Sequence, residues 1–198
     1  MTFTLIARNP FTRQIGLAMA SGSDDCIGGS VVSETLTALG RPAVIVVQGK
    51  GDRALRQKLA ASYLQGRNTA QLMDDLAAQD SALPLRQVLM ASFDAPLIVQ
   101  TGKFCGPWAG HHAEEHLIIA GNVLASASVL SRMRKAYMGD LNAPMRHRLL
   151  AALRAGMSAG GDIRGHASAG IIIAGEQPFQ ARITASRQPF DDLQASVG

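Results

Sequence analysis

Thiols, aromatic rings and charge are all scarce in this chain. Its two cysteines, Cys26 and Cys105, cannot build a disulfide framework over 198 residues, so free thiols in a reducing cytoplasm are expected. Aromatic residues are 5% of the composition, with one Trp and two Tyr, and the 19 Lys and Arg are scattered. The densest basic cluster, Arg132 to Lys135, falls on a predicted helix, so there is little of the stacking and basic interleaving that nucleic acid requires. A net charge of +4 is mild. No apolar run approaches the roughly 18 residues of a membrane helix. No basic segment leads into a long apolar core, so neither a signal peptide nor a membrane partner is expected.

What remains is 47% hydrophobic and 17% charged, the composition of an ordered globular chain. No internal repeat and no shift in composition marks a boundary, so a single domain over residues 1–198 is expected. Apolar alternation over 2–8 and 14–21, separated by Asn9-Pro10-Phe11-Thr12, predicts a hairpin. A Gly/Ser/Asp segment from Ser21 to Gly29 reads as a site loop, with Val31-Val32 as a short strand. The β-branched run from Ala43 to Gln48 predicts a buried strand ending at Gly49-Lys50-Gly51. Asp52 and Asn68 or Thr69 stand at helix starts. Strands follow at 87–93, 97–101 and 116–120, with a loop between the last two. Helices are expected at about 124–138 and 144–157, then a strand pair at 169–174 and 179–185. Mostly antiparallel strands with helices in two blocks predict an α+β fold, a four-layer αββα sandwich of two sheets faced by helices.

Thr2 is the residue that points furthest towards chemistry. A small residue at position two permits removal of Met1, and the mature chain would then carry a hydroxyl and a free α-amine on one residue. Such an amine, with a pKa of roughly 7.7–8.0, is a fair base near neutrality, and a Thr hydroxyl activated by it is a nucleophile. Three glycine-flanked strand ends are candidate walls around it. Gln48-Gly49-Lys50-Gly51 enters a helix and offers a backbone N–H to an oxyanion, but it lacks the spacing of a phosphate loop. Gly121-Asn122 ends another strand, with Asn122 as an amide donor. Asp162 and Arg164 stand in a glycine-rich loop, where a carboxylate could position the Thr2 amine or hydroxyl. Ser21, with Ser23, lies just after the second strand. His111-His112 and Glu114-Glu115-His116 match no standard metal spacing, and Cys105 has no base partner in sequence, so neither a metal nor a cofactor is expected.

Five strings, TFTLIARNP, IGLAMAS, GKFCGPWAGH, AGNVLAS and AALRAGMSAGGDIRGHASAGIIIA, together resemble a bacterial family described as a domain of unknown function, number ten twenty-eight. That family is grouped with the Ntn hydrolases, which include the proteasome β subunits. The resemblance spans residues 2–174. It implies Thr2 as the nucleophile after processing, Gly49 as an oxyanion N–H donor, Gly121-Asn122 as the later turn beside the nucleophile, and Asp162 as an acidic neighbour. Ser21, Gln48 and Arg164 would line the substrate side. The sequence departs from proteasome-like members in three ways. Ser21 stands where they have an Asp, no Lys precedes Lys50, and the segment after Gln48 is short. The resemblance implies an amidohydrolase acting on a small-molecule or peptide amide and assembled as a homodimer or larger oligomer. The alternative is a catalytically inactive protein of the same fold that binds a ligand or partner.

Overall fold

The computed structural model describes residues 2–38 and 40–198. The first two strands, β1 (Thr2–Asn9) and β2 (Gln14–Ser21), pair antiparallel along their whole length, Thr2 opposite Ser21. Asn9 makes the intervening turn, its Oδ1 accepting from the N–H groups of Phe11 (3.0 Å) and Thr12 (3.2 Å). This hairpin is the centre of a six-stranded sheet ordered β6-β7-β1-β2-β8-β9, completed by β6 (Ala109–Glu114), β7 (Leu117–Asn122), β8 (Ser168–Gly175) and β9 (Phe179–Ile183). A second sheet of three strands runs β3 (Val44–Gly49), β4 (Arg86–Ala91) and β5 (Ile98–Thr101). All of these pairings are antiparallel.

Strand alternation sorts the apolar residues into three cores. Phe3, Leu5 and Ile119 from one face of the large sheet cluster with residues of α4 (Ser128–Tyr137), α5 (Met145–Ser158) and α6 (Pro189–Val197), such as Met133, Leu149 and Leu193. From its other face, Ile6, Leu17 and Ile118 meet Val44, Val46 and Leu89 of the small sheet. The far side of the small sheet sets Ile45, Val47 and Met90 against Leu59, Tyr63 and Leu72 of α2 (Arg53–Leu64) and α3 (Thr69–Gln79). Central strands are thus apolar on both faces, which is why β1 and β3 read as nearly continuous apolar runs.

The expected caps are present. Asp52 Oδ1 accepts from Leu55 N–H at 3.0 Å, and Asn68 and Gln71 form a reciprocal capping box. Replacing Asn68 by Ala is expected to lower stability by about 1 kcal/mol, read from urea unfolding. Beside the end of β3, the buried Arg86 donates to Asp80 (2.7 Å), Asp52 (3.2 Å) and the Lys50 carbonyl, fastening the turn after β3 to the start of α2.

Four expectations are corrected. The loop from Ser21 to Gly29 contains the short helix α1 (Cys26–Ser30), capped by Asp25. Val31 makes only an isolated bridge, to Val46. The segment 109–114, expected to be loop, is the edge strand β6; its His-His-Ala-Glu content lacks apolar alternation because one edge is open to solvent. The helix expected from about 124 begins at Ser128, since Ala125 N–H donates to Gly161 O and Leu124 bridges Asp162. The last helix, α6, was not expected, although Pro189 at its first turn and the Phe190, Leu193, Val197 spacing are helical signals.

Candidate active site

Thr2 opens β1 and is buried. Phe3, Leu5 and Ala7 point to the helices α4–α6, while Ile6 points between the sheets. By the two-residue period, Thr2 and Thr4 share the face of Ile6 and look towards the small sheet. Thr4 shows this directly, its Oγ1 donating to Gln48 Oε1 at 2.7 Å.

From Gln48 a buried polar network crosses between the sheets. Gln48 Nε2 donates to Gln87 Oε1 (2.6 Å), and Asn122 Nδ2 donates to the same oxygen (3.1 Å). Gln87 Nε2 faces the carbonyls of Gly110 (3.0 Å) and Gly121 (3.1 Å) and the Thr101 hydroxyl (2.7 Å). His111 Nδ1 then meets Thr101 Oγ1 at 2.9 Å. Carbonyl oxygens only accept, so Gly110 and Gly121 fix which end of the Gln87 amide is which. Gln87 in turn fixes Asn122, which must present Nδ2 to it. The consequence is that Asn122 Oδ1, in a residue with no exposed surface, has no hydrogen-bond partner among the described residues. An orphaned buried acceptor of this kind costs about 1–3 kcal/mol.

The β1–β7 register pairs Phe3 with Gly121, so one further step sets Thr2 opposite Asn122. On its other side Thr2 faces Ser21. Ser21 is buried, its Oγ 2.8 Å from Ser23 Oγ and accepting from Ser23 N–H at 3.0 Å. Asp162 arrives from the loop after α5. Its Oδ2 accepts from Gly22 N–H at 2.9 Å, immediately after Ser21. Arg164 clamps the same carboxylate through Nη2 to Oδ2 (2.7 Å) and Nε to Oδ1 (3.1 Å). The structure therefore gathers Thr2, Ser21, Asn122, Asp162 and Arg164 at one end of the large sheet, with Gln48 one residue further in, beneath Thr4.

Burial pushes the Asp162 carboxyl up, but Arg164 and the N–H groups of Arg164 and Gly22 outweigh it and hold its pKa below the usual value. His166, whose Nε2 accepts from Asp162 N–H at 3.3 Å, is lowered mainly by burial against Phe3 and Phe190, with Asp162 opposing. Both groups therefore hold fewer protons folded than unfolded. Asp162 contributes stability that is complete above its unfolded value of about 3.9 and is lost as pH falls through the lower folded value. His166 acts in the same direction below about 6.5. The thermal midpoint is expected to fall on acidification, and Asp162→Asn to flatten the part of that fall at the acid end.

Gly49 ends β3 with φ +84°, and a Cβ there would stand 2.7 Å from Leu85 O. Gly49→Ala is accordingly expected to cost about 1–3 kcal/mol in chemical unfolding. Lys50 N–H is spent on Leu85 O at 3.0 Å. By the alternation of an antiparallel ladder, the N–H of Gly49 is turned away from β4 towards the open edge of β3.

The remaining candidates separate. His111 belongs to the amide network, whereas His112 pairs with Glu114 at 2.7 Å, and Glu114 also binds Arg134. No group of three or more His, Cys, Asp or Glu among the described residues is placed to hold a metal ion. Burial raises both thiols, Cys26 to about 11, so neither is a ready thiolate. No helix among the described residues is long and apolar enough to cross a membrane. Thr4, Gln87 and Thr101 were not expected at the site. A glutamine at the end of each of two apolar strands, Gln48 and Gln87, was the available signal. Removal of Met1 concerns a residue outside those described.

The molecule is thus an α+β protein of two antiparallel sheets whose strand ends converge on the head of β1. It belongs to a family of unknown function, DUF1028, whose model matches residues 2–193. Among solved structures, it is similar to the crystal structure of a Silicibacter pomeroyi protein also described as DUF1028. The two are 24% identical with a TM-score of 0.81, over 98% of this chain and 83% of that one. No curated protein matches the chain.

Proposed function

We propose that the protein is an N-terminal-nucleophile amidohydrolase, working through Thr2 once Met1 is removed. The succession of helices, large sheet, small sheet and helices is read here as a four-layer αββα sandwich of the Ntn type. The observation that carries the reading is the position of Thr2: first residue of a central strand, paired with Ser21 of β2 and one step beyond the Phe3–Gly121 pair of the β1–β7 ladder, a step that directs it at Asn122. In the proposed reaction Thr2 Oγ attacks the amide carbonyl and its proton passes to the α-amine. The carbonyl electron pair moves to oxygen, where Gly49 N–H and the second hydrogen of Asn122 Nδ2 receive it. Collapse breaks the C–N bond, and the leaving amine takes the proton back from the ammonium. Water, deprotonated by the same amine, then attacks the threonyl ester, the C–Oγ bond breaks, and the ammonium returns the proton to the departing Thr2 Oγ. Asp162, held by Arg164, keeps the Ser21–Gly22 wall of the site in place, and the substrate is a small-molecule or peptide amide. The scattered charge and the buried thiols favour no other class.

Asn122→Ala is expected to reduce turnover by about a hundredfold, since one oxyanion donor is worth roughly 2.7–4 kcal/mol. A loss smaller than about fivefold would remove Asn122 from that role. Intact-mass measurement of protein from its native cell, expected to show a chain starting at Thr2, tests the premise, and a retained Met1 would end the proposal.

A second reading, a catalytically inactive relative that binds a ligand at this end of the sheet, draws on the Gln48–Gln87–Asn122 network, which fills the space between the sheets with mutually satisfied amides. Under it, ligand binding would be indifferent to loss of the Thr2 hydroxyl.

A further inference from the structure

The orphaned oxygen of Asn122 has a direction, and the direction is set from outside the site. The carbonyls of Gly110 and Gly121 orient Gln87, and Gln87 Oε1 takes the amide nitrogen of Asn122, leaving Oδ1 as an acceptor with nothing to accept. The β1–β7 ladder says what lies across from it. Arg8 N–H donates to His116 O at 2.9 Å, so the even-numbered residues of β1 direct their nitrogens at β7. Stepping by twos from Arg8 through Ile6 and Thr4 brings the nitrogen of Thr2 to face Asn122. Asn122 has no exposed surface, so an acceptor left open there is within reach of a group already inside the fold, on the opposite end of the amide from the nitrogen assigned to the oxyanion.

We infer that Asn122 Oδ1, aimed by Gln87, accepts a hydrogen bond from the α-amine of Thr2 in the processed chain, which makes Asn122 and Gln87 positioning residues for the proton shuttle. The inference rests on the N-terminal-threonine reading and adds what holds the base. Removal of Met1 converts an amide N–H, with one hydrogen, into an amine or ammonium with two or three. One hydrogen keeps the ladder and another becomes available to Oδ1. The contact orients the nitrogen lone pair away from β7, towards the face that Thr2 shares with Thr4. Charged groups near this end of the sheets are the Asp162–Arg164 pair against Gly22, Lys50 after β3, the Arg86 cluster with Asp52 and Asp80, and His111 beyond Thr101. None of them is altered by substitution at position 122.

The test uses full-length chain with Thr2 made the first residue by proteolytic release from a fusion, labelled with nitrogen-15 threonine. The α-amine is titrated by NMR, and no turnover is needed. An acceptor stabilises the ammonium, so Asn122→Leu is expected to lower the amine pKa by about one unit, and Asn122→Asp, which keeps an acceptor and adds charge, to raise it. Shifts in opposite directions are not produced by a merely structural role. Should Asn122→Leu fail to fold, Asn122→Ala, which also lacks the acceptor, supplies the downward shift to set against the upward one in Asn122→Asp. Coincident titrations of parent and folded variants would overturn the inference. Opposed shifts without amide hydrolysis would retain the contact and sink the hydrolase reading, whereas hydrolysis without shifts would do the reverse.

Discussion

Replacing Thr2 by Ala is expected to reduce amide hydrolysis by at least about a thousandfold, the scale on which removal of a covalent nucleophile acts. The α-amine survives this substitution, as does removal of Met1 before a small residue, so the variant isolates the hydroxyl. Thr2 is buried at the end of a strand held on both sides, by β2 along its whole length and by β7 from Phe3 to Ala7. Loss of one hydroxyl and one methyl there leaves the ladder intact, and unfolding curves should change far less than turnover. Thr2→Ser retains the nucleophile and should retain activity within about tenfold. A β-lactone or similar electrophile should add to the parent and to Thr2→Ser, seen as a mass increase on the N-terminal peptide, and not to Thr2→Ala. Hydrolysis that persists in Thr2→Ala at the parental rate would place the chemistry elsewhere or nowhere in this chain.

Much of this site can be reached from the sequence because its framework is built on strands with a strong period. The Thr-Phe-Thr-Leu alternation at the head of β1 gives the strand, while the face of Thr2 follows only from the packing of Ile6 between the sheets. The β-branched run of β3 gives a strand that has to stop at Gly49. Asp52 and Asn68 announce their helices. Other parts are invisible for a physical reason. The edge strand β6 acquires its conformation from hydrogen bonds to β7, not from apolar residues of its own. Residues 123–125 have helical composition, but Leu124 N–H donates to Trp108 O, while Ala125 N–H donates to Gly161 O and Val123 O accepts from Ile163 N–H, both in a loop more than thirty residues away. Asp162 was visible as a carboxylate near glycines, yet only the fold brings it to Gly22. The buried amide network is the clearest case. Polar residues at positions 48, 87 and 122 have no local relation, and a glutamine ending a strand is an ordinary thing to find. Their connection exists only once two sheets face each other.

That network carries the other large effect expected on folding. Gln87→Leu removes the single acceptor shared by Gln48 Nε2 and Asn122 Nδ2, and the donor facing Gly110 and Gly121. Two buried amide groups, Gln48 and Asn122, are left short of partners, each costing about 1–3 kcal/mol, so a loss of about 2–6 kcal/mol is expected in equilibrium unfolding. Leucine supplies similar volume, which separates the polar cost from that of a cavity. Gln87→Glu sharpens the argument. An ionised carboxylate would face two carbonyls that cannot donate, so only the protonated acid, with its hydroxyl turned to Gly110 or Gly121, reproduces the network. The folded-state pKa of the carboxyl introduced at position 87 would be raised above its unfolded value near ~4.3, and the variant should grow less stable as pH rises through that interval. Below it, the gap between Gln87→Glu and the parent should narrow, opposite in sign to the acid weakening expected from Asp162. A gap that is constant with pH would mean that the amide of Gln87 is not oriented by those carbonyls, and the polarity deduced for Asn122 would fall with it.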